Sequence, residues 1–153
     1  TLQPTMPFTL GDANDRPQIW QSKVGGNPYL PRNADYPRNA NGEPLTLLAQ
    51  VNFAEMPPLP DFPSSGLIQF FVDETDYSLG VDYDNYTNTA NYRVVYYPEI
   101  TQDLAQLCDD FAPFQAAAND RVLWGDSGVG NFFITPEDLR QRDFSRVLFT
   151  WDC

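Results

Sequence analysis

The sequence has no histidine, one lysine (Lys23) and two cysteines. None of its apolar runs approaches the ~18 residues of a membrane-spanning helix. Each scarcity excludes something. Without imidazole there is no Ser-His-Asp or Cys-His machinery and no His-containing metal site. Cys108 and Cys153 are too few for a disulfide framework and form no C-x-x-C pair, so they are read as free thiols of a reducing compartment. Only arginine or a helix N-terminus is left to lower a thiol pKa, and no catalytic role is assigned to either cysteine. Thr1–Leu10 has neither a basic n-region nor a long apolar h-region and is not read as a secretory signal. The missing initiator Met is read as earlier processing or trimming. These absences lead to the expectation of a cytoplasmic protein.

What is present points to one folded domain. The chain has 153 residues, 42% hydrophobic and 14% aromatic, too rich for disorder. At this size roughly 68–70% of the unfolded surface can be buried, so no staples are needed. Nine Lys+Arg against 21 Asp+Glu give a net charge of −12, with a pI near 4.1. That balance repels phosphate backbones and anionic membranes, so nucleic-acid and membrane partners are not expected. It suits a basic protein partner drawn in by long-range attraction. An acidic balance is also ordinary in soluble bacterial proteins, so it names no partner by itself.

Proline organises the first half. There are 14, clustered between Pro28 and Pro63, where no long helix can survive. Leu45–Phe53 is apolar almost throughout, as a strand buried on both faces would be, and Leu67–Val72 is of the same kind. Tyr92–Tyr97 is a β-branched and aromatic strand, and the polar stretch Asp82–Asn91 reads as a long hairpin connection. Beyond Pro98, apolar residues at 104, 107, 108 and 111 have helical spacing, predicting a helix within 101–118 interrupted by Pro113. Strand signals resume at Arg121–Trp124, Asn131–Ile134 and Arg146–Trp151. Between the last two, Thr135-Pro-Glu-Asp138 predicts a short helix to about Arg142, with Thr135 as N-cap, Pro136 first and Asp138 at the capping-box position. The fold class is therefore mainly β with one or two short helices. Strand, polar turn and an Arg-led strand occur in both halves, an echo that fits either a duplicated unit or a coincidence among aromatic-rich strands.

Four groups of residues could carry chemistry. Asp73, Asp76, Asp82 and Asp84 offer hard oxygen ligands for a metal such as Ca²⁺, although their spacing departs from the EF-hand pattern and a solvated turn needs no metal. In Trp124-Gly-Asp-Ser-Gly-Val-Gly130 the glycines would let backbone N–H groups approach a ligand. Trp124, Asp126 and Ser127 are the candidates there, but a nucleophile elbow needs a histidine, and no Gly-Lys-Ser/Thr of a phosphate loop follows. Lys23, Gly25 and Gly26 form a third candidate, an anion contact beside a tight turn stiffened by Pro28 and Pro31, or else a structural corner that packs Tyr29 and Leu30. Gln50 and Gln69 interrupt apolar strands; buried amides must find partners, so they clamp neighbouring segments or face a cleft. Tyr92, Tyr96, Phe132, Phe133 and Trp151 are read as packing residues.

Several segments taken in order carry a resemblance. They are Gly25–Pro31, Asn41–Leu45, Leu48–Asn52, Gly66–Phe71, Trp124–Ile134, Asp143–Leu148 and Trp151–Cys153. In these the chain resembles the YwqG-like family, a bacterial domain of unknown function, over about 22–100 and 121–153. The resemblance implies coiled, bifurcated antiparallel sheets with an internal two-fold echo, residues 22–100 forming the first half and 121–153 a remnant of the second. It implies no activity or cofactor. A further block that members usually carry is not found between Thr101 and Asp120, which implies a short member or residues missing there.

The functional expectation is a soluble binding or interaction domain rather than an enzyme, one version neutralising a basic protein such as a toxin. The alternative is a small-ligand binder or carboxylate-based hydrolase built on the 124–130 turn, with Asp126 working against Asp76 or Asp84. The sequence does not give the oligomeric state.

Overall fold

Leu45–Phe53 and Leu67–Val72 lack the polar alternation of a strand with one wet face, and the structure buries both on two sides. This computed structural model describes residues 17–114 and 128–152. In it β1 (Lys23–Val24), β2 (Thr46–Asn52), β3 (Leu67–Val72) and β4 (Tyr92–Tyr97) lie in chain order in one antiparallel sheet. A second antiparallel pair, β5 (Val129–Phe133) and β6 (Leu148–Asp152), is joined through the helix α1 (Pro136–Gln141). The mainly-β expectation, with antiparallel sheets and one short helix, holds. Among the described residues, the four-stranded and the two-stranded sheet do not display the internal echo as two copies.

The larger sheet is the middle layer. Residues two apart on a strand share a face, so Leu67, Gln69 and Phe71 point one way and Ile68, Phe70 and Val72 the other. The first set meets the proline-rich segment and the 100–114 segment: Tyr29 and Leu107 pack with Leu67, and Tyr36 and Leu45 with Phe71. The second set meets the β5–α1–β6 unit, where Phe132 lies 4.7 Å from Phe70 and stacks on Phe149 at 4.5 Å. The β2–β3 register shifts between Leu47 and Ala49, leaving Leu48 as the extra residue. This bulge sends Leu48 and Ala49 to the same side, among the aromatics. The buried hydroxyl of Tyr92 lies 2.7 Å from the Val147 carbonyl and 2.9 Å from that of Tyr86, and its single proton is shared between them, tying the two layers together.

The helix starts as its sequence dictates. Thr135 is extended, and its hydroxyl accepts from the Asp138 N–H at 3.1 Å; Pro136 opens the helix and Arg142, at φ 57°, closes it in the left-handed conformation. Asp138 does not complete a capping box. Its buried carboxylate takes the guanidinium of Arg146, fixing the turn before β6.

Two expectations are corrected. The helical spacing at 104–111 does not make an α-helix; among the described residues that stretch holds only 3₁₀ turns at Leu104–Gln106 and Ala112–Phe114. Tertiary pairing claims the backbone groups a helix would need. The Gln106 carbonyl accepts from Arg32 N (2.9 Å), Cys108 N donates to the Leu30 carbonyl (2.8 Å), and Leu107 bridges to Pro31 with its side chain buried. Phe133 is not a packing residue: it is 56% exposed, because adjacent residues on a strand face opposite ways and Phe132 takes the inward place. The strand expected at Arg121–Trp124 lies outside the described residues.

Candidate functional site

The lysine corner is built from polar side chains turned inward. Gln50 and Gln69 face each other across β2 and β3, and both are fully buried. The Gln50 Oε1 accepts from Tyr29 N (2.8 Å) and Gln69 Nε2 (2.8 Å), while its Nε2 donates to the carbonyls of Ile19 (2.9 Å) and Gln21 (2.8 Å). Gln69 Nε2 also donates to the Tyr29 carbonyl at 2.7 Å. Two residues further along β2, Asn52 Nδ2 donates to the Trp20 carbonyl at 3.0 Å. Three amides thus carry the irregular segment 19–29 on the sheet, satisfying backbone groups that it cannot pair within itself. Asn52 was not singled out in the sequence, because an asparagine at a strand end reads as a turn residue.

Lys23 sits at the rim of this corner, opposite Gln50 in the ladder. Its Nζ donates to the Ile19 carbonyl at 3.2 Å, and no carboxylate among the described residues pairs with it. Burial without a counter-ion pulls its pKa down from 10.5 to about 8. Gly25 and Gly26 follow with φ of 67° and 72°, a left-handed pair that only glycine enters without strain.

The connection from β3 to β4, residues 73–91, is the opposite kind of structure. It carries five carboxylates (Asp73, Glu74, Asp76, Asp82, Asp84) and no lysine or arginine. Its acids hold the loop's own backbone. Asp73 accepts from Thr75 N (3.0 Å) and Oγ1 (2.6 Å) and from Asn39 Nδ2 (2.8 Å), and Asp76 caps Ser78. Asp82 accepts from the N–H groups of Asp84 (3.0 Å) and Asn85 (3.1 Å) and from Asn88 Nδ2 (2.8 Å), bonds that hold its carboxyl below the usual range. Leu79 and Val81 tuck into the core beside Tyr92 and Trp151. Gly80, at φ 88°, leaves no room for a side chain against the Asn91 backbone.

The outer side of the loop presents Tyr77, 94% exposed, and the exposed pair Tyr83 and Tyr86, whose rings meet edge to face at 6.2 Å. The ion pairs among the described residues are Arg32–Asp109 (3.0 Å), Arg140–Asp61 (3.9 Å) and Arg146–Asp138, and none of them involves this loop. The four aspartates considered for a metal do not gather: among the described residues no group of three or more Asp, Glu, Cys or His is placed to hold an ion. The three tyrosines were not singled out, although the alternation Asp82-Tyr-Asp-Asn-Tyr86 is the signal for them.

The remaining candidates divide. Trp124, Asp126 and Ser127 lie outside the described residues. Gly128, the next residue, is packed so closely under the Trp151 indole that a Cβ there would overlap the ring. Cys108 is a half-buried free thiol, and no helix among the described residues is long and apolar enough to cross a membrane.

Compared with known protein families, the chain matches the model described as Domain of unknown function (DUF1963) over residues 22–119 and 111–153. The chain belongs to this family. No curated protein matches it. Membership in DUF1963 brings no assigned activity, and the function is argued from the loop and the corner themselves.

Proposed function

We propose that this domain is a protein-interaction module that holds a basic partner through the 73–91 loop, neutralising a basic protein such as a toxin being one form of that role. The observation that carries the reading is an acidic loop that makes no ion pair among the described residues and in which exposed tyrosines alternate with carboxylates. Tyrosine supplies large contact area with little conformational entropy to lose, and its ring face attracts the ammonium and guanidinium groups that the carboxylates draw in. The loop is held in shape by its Asx-type turns and by Leu79 and Val81, which lowers the ordering cost of binding. The likeness to YwqG-like proteins is compatible with this role and adds no chemistry to it.

The test is affinity capture from lysate at low salt, comparing the native chain with the triple variant Asp76→Asn, Asp82→Asn, Asp84→Asn. Asparagine keeps an oxygen that can cap the same turns, so the fold is expected to stay within about 0.5 kcal/mol of the native stability. The native chain should retain basic proteins that are released as salt rises toward a Debye length of about 8 Å and below. The variant should lose them. Equal capture by both chains, or no basic protein captured at low salt, sinks the reading.

A further inference from the structure

The two edges of the larger sheet differ. At one edge β1 is only two residues long and runs directly into the left-handed pair Gly25-Gly26. At the other, β4 presents six residues, and among the described residues its backbone makes ladder bonds to β3 alone. In an antiparallel ladder alternate residues turn their N–H and C=O groups away from the partner, so the outer side of β4 carries a row of donors and acceptors that find no backbone partner among the described residues. Edge strands are ordinarily blunted by proline, lysine, a bulge or shortness. β4 has none of these along its length. Its register to β3 is continuous from Tyr92 to Tyr97, its one charge is Arg93, and Pro98 comes only after its last residue.

Charge decides the occupant. The acidic loop runs into β4 without a break, Asn91 preceding Tyr92. A second copy of this chain would bring another net charge of −12 to the edge. An extended segment bearing lysine or arginine meets one like charge, Arg93, against the five carboxylates of the adjoining loop. Resting on the reading above, we propose that the outer edge of β4 takes an added strand from the basic partner, main-chain bonds along Tyr92–Tyr97 supplying affinity and the 73–91 loop selecting cationic side chains. This is strand addition, in which the backbone ladder binds and the flanking groups specify.

The probes are three peptides of about eight residues, long enough to span β4. The first alternates lysine and valine, the second is the same peptide with alternate backbone amides N-methylated, and the third has glutamate for lysine. Binding to the full chain is read by fluorescence anisotropy, and amide exchange along residues 92–97 by NMR. The lysine peptide is expected to bind and to slow exchange at alternate β4 amides. The methylated peptide, equal in charge, should bind at least about tenfold more weakly for want of its main-chain bonds. The glutamate peptide should not bind. Equal binding by the methylated and unmethylated peptides overturns strand addition while leaving the acidic-loop reading standing. If neither lysine peptide binds at low salt, both fall. Sedimentation showing a dimer with the β4 amides already protected assigns the edge to a second copy and overturns the proposal.

Discussion

The lysine corner and the acidic loop are mounted on the same sheet and use their polar side chains in opposite ways. In the corner, Gln50, Gln69 and Asn52 point into the protein and spend their amides on the backbone of residues 19–29. In the loop, Asp73, itself buried, and the more exposed Asp76 and Asp82 bond to neighbours or to the loop's own backbone, while the tyrosines between and after them face water. A buried amide cannot be altered without leaving several partners unmet. A carboxylate on a solvated turn can lose its charge and keep its geometry. The corner therefore carries stability and the loop carries what is free for recognition.

The contrast can be broken at its strongest point. Gln50→Leu keeps the volume but strands the Tyr29 N–H and removes one acceptor from Gln69, and it should cost about 2–4 kcal/mol in denaturant unfolding. A loss below about 1 kcal/mol would mean that the amides do not hold the corner. Gly80→Ala attacks the loop where it packs against the Asn91 backbone. The new Cβ meets the Asn91 backbone at a φ that alanine resists, so about 1–3 kcal/mol should be lost, with faster amide exchange confined to 73–91. If exchange rises throughout the sheet instead, the loop is part of the core rather than a device mounted on it.

The smallest effect belongs to Lys23. Its folded pKa, about 8, lies below the ordinary 10.5 of the unfolded chain. Between those values the unfolded state binds more protons, so this group makes stability rise with pH, its penalty being fully present below about 8 and relieved on the way to 10.5. Lys23→Met should therefore gain stability at pH 7, and the gain should shrink by pH 9.5. Denaturation curves of both chains at the two pH values check this. That range stays below the titration of Tyr36 and Tyr97, which burial pushes up to about 12. A gain that does not change with pH would show that Lys23 is not held in a desolvated place.

Much of the fold was legible because it rests on local patterns. β3 and β4 begin and end where composition set them, and the Thr135-Pro136 start of α1 is a backbone rule written in two residues. The 101–114 segment was misread because its apolar spacing suits a helix, while the bonds that decide its shape come from Leu30 and Arg32, about seventy residues away. Phe133 was misread because a Phe-Phe pair does not say which ring faces in. The candidate site was half legible. The carboxylates of 73–84 stand out in the sequence, but which of them hold turns, and that Tyr77, Tyr83 and Tyr86 face outward, follows from Leu79 and Val81 being drawn into the core.

The absence of histidine, the scarcity of lysine, the charge of −12 and the run of strands separated by prolines were all fixed by composition and short-range order. They follow from side-chain chemistry and backbone sterics, which need no distant partner. The tertiary structure decided the rest. Among the described residues, it turned Gln50 and Gln69 into a clamp, spread the aspartates over separate turns so that they gather no metal site, and left β4 at the edge of its sheet beside an acidic loop. The reason is that burial, hydrogen-bond satisfaction and strand partnership are properties of pairs far apart in the chain, and they exist only once the layers have packed.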